Sequence, residues 1–282
     1  MHPNSGFSAA QVLWTLSFAS LLVLLVVLLG RERSRRFKFF TIAIVLVALE
    51  RLIGKLLFGR VAPMQFYEVF IPLAVLSALV SVLVLVELAR KAFVGLERRA
   101  WIVNSLGMLA VGAVVVAEWG KWPAWQTVTA GTTLAVLELL QAASQKINLL
   151  SNVLTVELAL LVLFFGRRFK AGWRSHTQAI LIGLSTASIA QMLRDGVWQL
   201  IAMKAAPKTQ VEYNHIIGIR DKLSTANEIV YLVVVVWWIV SLWIDEPGTG
   251  TPAQEIAVSP EHLLTEDTAP EAGPEIDEPK SD

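Results

Sequence analysis

Apolar residues fall along this chain in long unbroken runs rather than in short periodic ones: Leu22 to Leu29, Val82 to Val86, Leu158 to Phe165 and Val233 to Val240. A hydrocarbon layer about 30 Å thick is crossed by roughly 20 such residues in helical form. Seven segments meet that requirement, over residues 8–30, 39–58, 66–89, 101–118, 147–166, 176–203 and 223–244. Segments two and six carry charges within the apolar run. The pattern predicts an all-α polytopic membrane protein, a seven-transmembrane-helix bundle spanning residues 1–244.

Composition agrees. Of the 282 residues 55% are hydrophobic and 17% charged, where a soluble domain carries about a quarter charged residues. Lys and Arg number 24 against 23 Asp and Glu, a net +1 that argues against a nucleic-acid partner. With no cysteine, disulfides, thiolate metal sites, iron–sulfur ligation and cysteine nucleophiles are excluded.

Loop charge predicts orientation. The first, third and fifth connections hold 13 Lys and Arg residues, whereas Arg60, Lys121, Lys146, Lys204, Lys208, Arg220 and Lys222 make 7 on the opposite side. The odd helix number and this bias place the N-terminus outside and the C-terminus in the cytoplasm. The first segment has its basic run after it rather than before it, which predicts a retained helix in place of a cleaved signal. Trp101, Trp173 and Trp243 fall near the inner interface and Trp119, Trp122, Trp125 and Trp198 near the outer one, as depth anchors. Between residues 119 and 146 the leucines are interleaved with Glu138, Gln141, Gln145 and Lys146, so segment five begins outside the membrane or continues a short amphipathic helix.

From Asp245 the character changes. Residues 245–282 hold 11 acids, one Lys and six of the chain's 11 prolines, which predicts a disordered acidic cytoplasmic tail. Removing it leaves 23 cations against 12 acids, a membrane domain of net +11. The expected partners are therefore anionic lipid headgroups at the inner face, with the tail in competition. Ser259, Pro260, Glu261, Leu263 and Leu264 can form one helical turn, and of its two readings, a docking motif for a cytoplasmic protein or part of an inert solvated tail, composition favours the second.

Ionisable groups inside hydrocarbon cost several kcal/mol unless paired or wet, so they mark candidate sites. Counting about 1.5 Å per residue from the cytoplasmic ends puts Glu50 and Arg51 roughly 18 to 20 Å up, Lys55 and Glu228 about 25 Å and Glu157 about 15 Å. Arg194 and Asp195 come near 30 Å. Polar groups thus gather at midplane and outer depth while the inner halves are hydrocarbon. Two readings stand. One is a closed salt-bridge network that fixes helix packing. The other is a ligand pocket open to the outside, lined by Glu50, Arg51, Lys55, Asn152, Glu157, Gln191, Arg194, Asp195, Asn227 and Glu228.

Motifs for catalysis are missing: no His-Glu-x-x-His, no Gly-x-Ser-x-Gly and no P-loop, and the four histidines are scattered, so neither an enzyme nor a metal or other cofactor is expected. Ile229 to Ile244 contains no lysine for a retinal Schiff base. Segment three ends Glu87-Leu88-Ala89-Arg90 and segment seven lacks Asn-Pro-x-x-Tyr, unlike eukaryotic G-protein-coupled receptors. Gly166-Arg167-Arg168-Phe169, followed by Trp173-Arg174-Ser175-His176, together with seven helices and no attached enzymatic domain, resembles uncharacterised bacterial seven-transmembrane-helix proteins. These are similar to the sensor regions of some bacterial signalling proteins. The resemblance implies a receptor-like sensor or regulatory protein of the inner (plasma) membrane, taking a small ligand from outside and acting on a cytoplasmic partner. The alternatives are a small transporter or channel subunit, and an accessory membrane subunit.

Overall fold

A computed structural model of the chain describes residues 9–92, 98–119, 129, 131–165, 175–204 and 209–245. The chain divides into Met1–Glu246 and Pro247–Asp282, and the acidic tail after Asp245, like Trp122, Trp125, Trp173 and the Gly166–Phe169 motif, lies outside the described residues. Among those residues there are eight helices and no strand: α1 (Ala9–Gly30), α2 (Arg33–Arg36), α3 (Lys38–Leu57), α4 (Pro63–Ala92), α5 (Arg98–Glu118), α6 (Thr133–Phe165), α7 (His176–Lys204) and α8 (Gln210–Trp243).

Four of them, α1, α4, α6 and α8, are long and apolar enough to cross a membrane. Large apolar side chains also cover the outside, among them Val26, Val114, Phe164, Leu193 and Val233, each more than 60% exposed. Such a surface suits lipid rather than water. The other three predicted spans are helical as well, but α3 carries Glu50, Arg51 and Lys55, α7 carries Arg194 and Asp195, and the apolar part of α5 is short, Ser105–Glu118.

Boundaries shift where polar residues continue a helix beyond its apolar run. α6 starts at Thr133 rather than 147, absorbing the amphipathic stretch, and α8 starts at Gln210 rather than 223. The second start has a local cause. Thr209 accepts the Glu212 amide at 3.2 Å while the Glu212 carboxylate accepts the Thr209 amide at 3.4 Å, a reciprocal capping box.

Six helices close a ring in the order α1, α3, α4, α6, α7, α8, with α8 packed back on α1, while α5 lies outside the ring against α6. The ring is solid at one end. Leu21, Leu24 and Leu28 of α1, Phe37 and Phe40, Leu88, Leu158, and Val235, Trp238 and Leu242 are all within 1% of full burial. Toward the opposite end, which carries Trp119 and Thr133, cavities replace this core.

Polar contacts clamp the solid end. The Glu87 carboxylate of α4 accepts from the backbone amides of Lys38, Phe39 and Phe40 at 2.9, 3.1 and 3.2 Å, satisfying three of the orphan donors at the start of α3. Asp245 pairs with Arg33 at 2.8 Å and Arg31 at 3.5 Å, the Arg31 guanidinium lies 4.9 Å above the Trp243 ring, and His176 Nε2 donates to the Ile244 carbonyl at 3.0 Å. Charged hydrogen bonds contribute about 1.5 to 3 kcal/mol each at most and share one acceptor here. Glu87→Ala is therefore expected to cost about 2 to 3 kcal/mol and Glu87→Gln about half as much, read as a graded fall in thermal unfolding temperature. Equal melting of both variants and the parent would remove the cap from the account.

Candidate functional site

Inside the ring is a chamber of about 200 Å³. Its walls are neutral. α6 supplies Asn148, Ser151, Asn152 and Thr155, whose i, i+3 and i+4 spacing puts them on one helix face. α7 adds Ser188 and Gln191, α8 adds Asn227 and Tyr231, and Phe40 and Trp238 close the end toward the apolar core. The Thr155 hydroxyl donates to the Ser151 carbonyl at 2.6 Å, Ser81 to the Ser77 carbonyl at 2.9 Å and Ser188 to Asn152 Oδ1 at 3.0 Å. The side-chain amides of Asn148, Gln191 and Asn227, and the amino group of Asn152, have no hydrogen-bond partner among the described residues. Four carboxamides with unused donors and acceptors thus face one small space.

A second space of about 450 Å³ lies between α6, α7 and the end of α5. Asn148, Asn152 and Gln191 line both spaces and form the partition between them. The charges of this vestibule are already engaged. Arg194 donates to Asp195 Oδ1 through Nε at 2.9 Å and Nη2 at 2.8 Å. The Lys146 ammonium donates to the carbonyls of Val116, at 2.9 Å, and Trp119, capping the end of α5. Trp119 leans on Gly196, where a Cβ would meet the ring at 3.4 Å, and Trp198 lies 5.3 Å beneath the Arg220 guanidinium.

A third, wide cleft of about 800 Å³ lies among α1, α3, α4 and α8. Arg51 and Glu228 face each other there as a bidentate pair, Nη2 to Oε2 at 3.3 Å with a closer Nη1 to Oε1 contact. The Arg51 guanidinium also lies 5.0 Å over the Tyr231 ring, which separates this cleft from the chamber. Lys55 stands 5.6 Å over Trp14, and Glu50 has the Ser77 hydroxyl beside it. Phe66 and Phe70 stack at 5.3 Å along the same wall.

The ten residues chosen from sequence thus separate. Asn152, Gln191 and Asn227 line the chamber, Arg194 and Asp195 the vestibule, and Glu50, Arg51, Lys55 and Glu228 the cleft. Glu157 lines none of the three. It lies one full heptad from Leu150, hence on the α6 face that meets α5 at Gly112, where a Cβ would approach Leu150 Cδ1 to 2.8 Å. Both Glu157 carboxylate oxygens are inaccessible and have no hydrogen-bond partner among the described residues.

Asn148, Tyr231 and Trp238 escape a search for charged groups. The polar stripe Gln141, Gln145, Asn148, Asn152 on α6 is the signal that finds the first of these. Among the described residues no three of His, Cys, Asp and Glu are grouped as metal ligands. No protein family matches the chain, and neither curated proteins nor solved structures give a match.

Proposed function

We propose that this protein is a receptor-like sensor of the plasma membrane, built on seven transmembrane helices with the N-terminus outside and the tail after Asp245 in the cytoplasm. The ligand pocket is the vestibule and chamber together, and it opens outward. One observation carries the reading. The spaces that share Asn148, Asn152 and Gln191 end on a plug of Phe40, Trp238 and the leucines beyond, so the polar lining of these cavities stops at that plug. A conduit needs polar groups through the second half as well.

The output side is physically continuous with that plug. α8 runs from Asn227 and Tyr231 at the chamber through Trp238 to its end at Trp243, and Asp245 just beyond ties Arg31 and Arg33 through its carboxylate. A ligand that binds one packing of Trp238 better than another shifts the population of both ends together. A cytoplasmic partner then reads the basic connection, the acidic tail or both. Arg51 and Glu228, as a closed pair, tie α3 to α8 by their side chains.

The test uses the absence of cysteine. A fluorophore on a single introduced cysteine, Gly248→Cys, in proteoliposomes is expected to change emission when small polar solutes are added outside. Trapped solute inside should not accumulate. Sustained uptake of solute or protons by the purified protein would replace this reading with a small transporter, and a silent fluorophore with no uptake would leave an accessory subunit.

A further inference from the structure

The chemistry of the chamber narrows what it binds, an inference that rests on the sensing role proposed above. No charged side chain lines it, and several charges of the adjoining spaces are engaged: Arg194 on Asp195, Lys146 on two backbone carbonyls, Arg51 on Glu228. An ion entering this space gives up hydration with no counter-charge to replace it, which costs several kcal/mol. Charged molecules are thereby selected against.

The carboxamides point the other way. Each Asn or Gln side chain offers two donors and an acceptor, and those of Asn148, Gln191 and Asn227 are unused among the described residues. As packing devices such groups are poor, because apolar neighbours leave them unmet. What satisfies them is a compact molecule that both donates and accepts along its whole length. At about 200 Å³ the chamber lies below the ~300 to 1,000 Å³ of pockets that take drug-sized ligands, a space suited to a short polyol. The flat rings of Trp119 and Trp198 in the vestibule add apolar faces for C–H groups.

We infer that the chamber behind Asn148, Asn152 and Gln191 binds a small uncharged polyhydroxy compound, of the size of a sugar alcohol or single hexose, through its four carboxamides.

The experiment titrates the full chain in lipid nanodiscs with glycerol, erythritol, myo-inositol and glucose, and with the charged counterparts glucuronate and glucosamine. Unfolding temperature and tryptophan emission are read together, since Trp238 lines the chamber. At least one neutral polyol is expected to shift both saturably below about 10 mM, well under the molar range in which osmolytes stabilise proteins generally. Its charged counterpart should bind at least tenfold more weakly. Asn148→Leu and Gln191→Met should each weaken polyol binding at least tenfold while the unliganded protein melts no lower than the parent. Equal or tighter binding of glucuronate or glucosamine, or unchanged polyol affinity in both variants, overturns the polyol assignment and leaves the sensing role standing. No saturable binding of any of the six, with water alone filling the chamber, overturns the assignment. A Gly248→Cys fluorophore that is also silent to them takes the sensing role with it.

Discussion

Arg51→Met is expected to lower the stability of the folded protein by about 3 kcal/mol, Glu228→Met by a similar amount, and the two together by much less than either. Each single change leaves one full charge in a cleft walled by Trp14, Phe66 and Phe70 and flanked by lipid-facing helices. The double change removes both charges and substitutes apolar volume for them, a replacement that in buried sites is often neutral. Side-chain exposures of 18% for Arg51 and 29% for Glu228 let some water in, which keeps the figure at the lower end for a buried pair. Thermal unfolding of the parent, both singles and the double in one lipid composition reads the cycle. Singles that melt with the parent would show that the pair contributes nothing. A double as damaged as the worse single would show that the two groups act separately.

Gly183→Ala should be nearly as damaging for an opposite reason, excess of matter instead of excess of charge. A Cβ built on Gly183 comes within 2.2 Å of Trp238 Nε1 and 2.7 Å of Cε2. The indole has nowhere to retreat: it is 1% exposed, donates to the Ile180 carbonyl at 3.3 Å and meets Phe40 edge-on at 5.1 Å. Overpacking of this kind costs about 1 to 3 kcal/mol, and a rigid ring against a helix backbone belongs at the upper limit. The compensating change is Trp238→Phe, which removes the indole nitrogen that clashes. G183A/W238F should melt above G183A, and if it melts lower the contact is not the cause.

The sequence made the long helices readable because hydropathy over about 20 residues is a one-dimensional property. α1 and α4 carry it almost without interruption, and their predicted segments lie within the helices observed, give or take one residue. Where helices continue into polar sequence, as α6 does before Asn148 and α8 before Leu223, hydropathy falls silent and the Thr209–Glu212 capping box holds the information instead. The candidate site was harder for a geometric reason. Counting residues along a helix gives depth, and by depth Glu157 belongs with Arg51 and Glu228. Direction around the helix axis decides company, and α6 turns Glu157 to α5 while it turns Asn148, Asn152 and Thr155 inward. The partnering of Arg51 with Glu228 across 177 positions is a property of ring closure. So is the placing of Asn227 opposite Asn152, since both need α8 returned to its place beside α1.

That same closure imposes an order on the making of the molecule. α3 leaves the ribosome with Arg51 and Lys55 on it, and the carboxylate that pairs with Arg51 belongs to α8, the last helix among the described residues. Until α8 is in place, α3 has its neighbours α1 and α4, with Glu87 of α4 on its first amides, but not the carboxylate of Glu228 for Arg51. A chain that stops before Glu228 therefore leaves the Arg51 guanidinium without its carboxylate among apolar helices, so a truncation that keeps α3 and loses α8 carries an uncompensated cation.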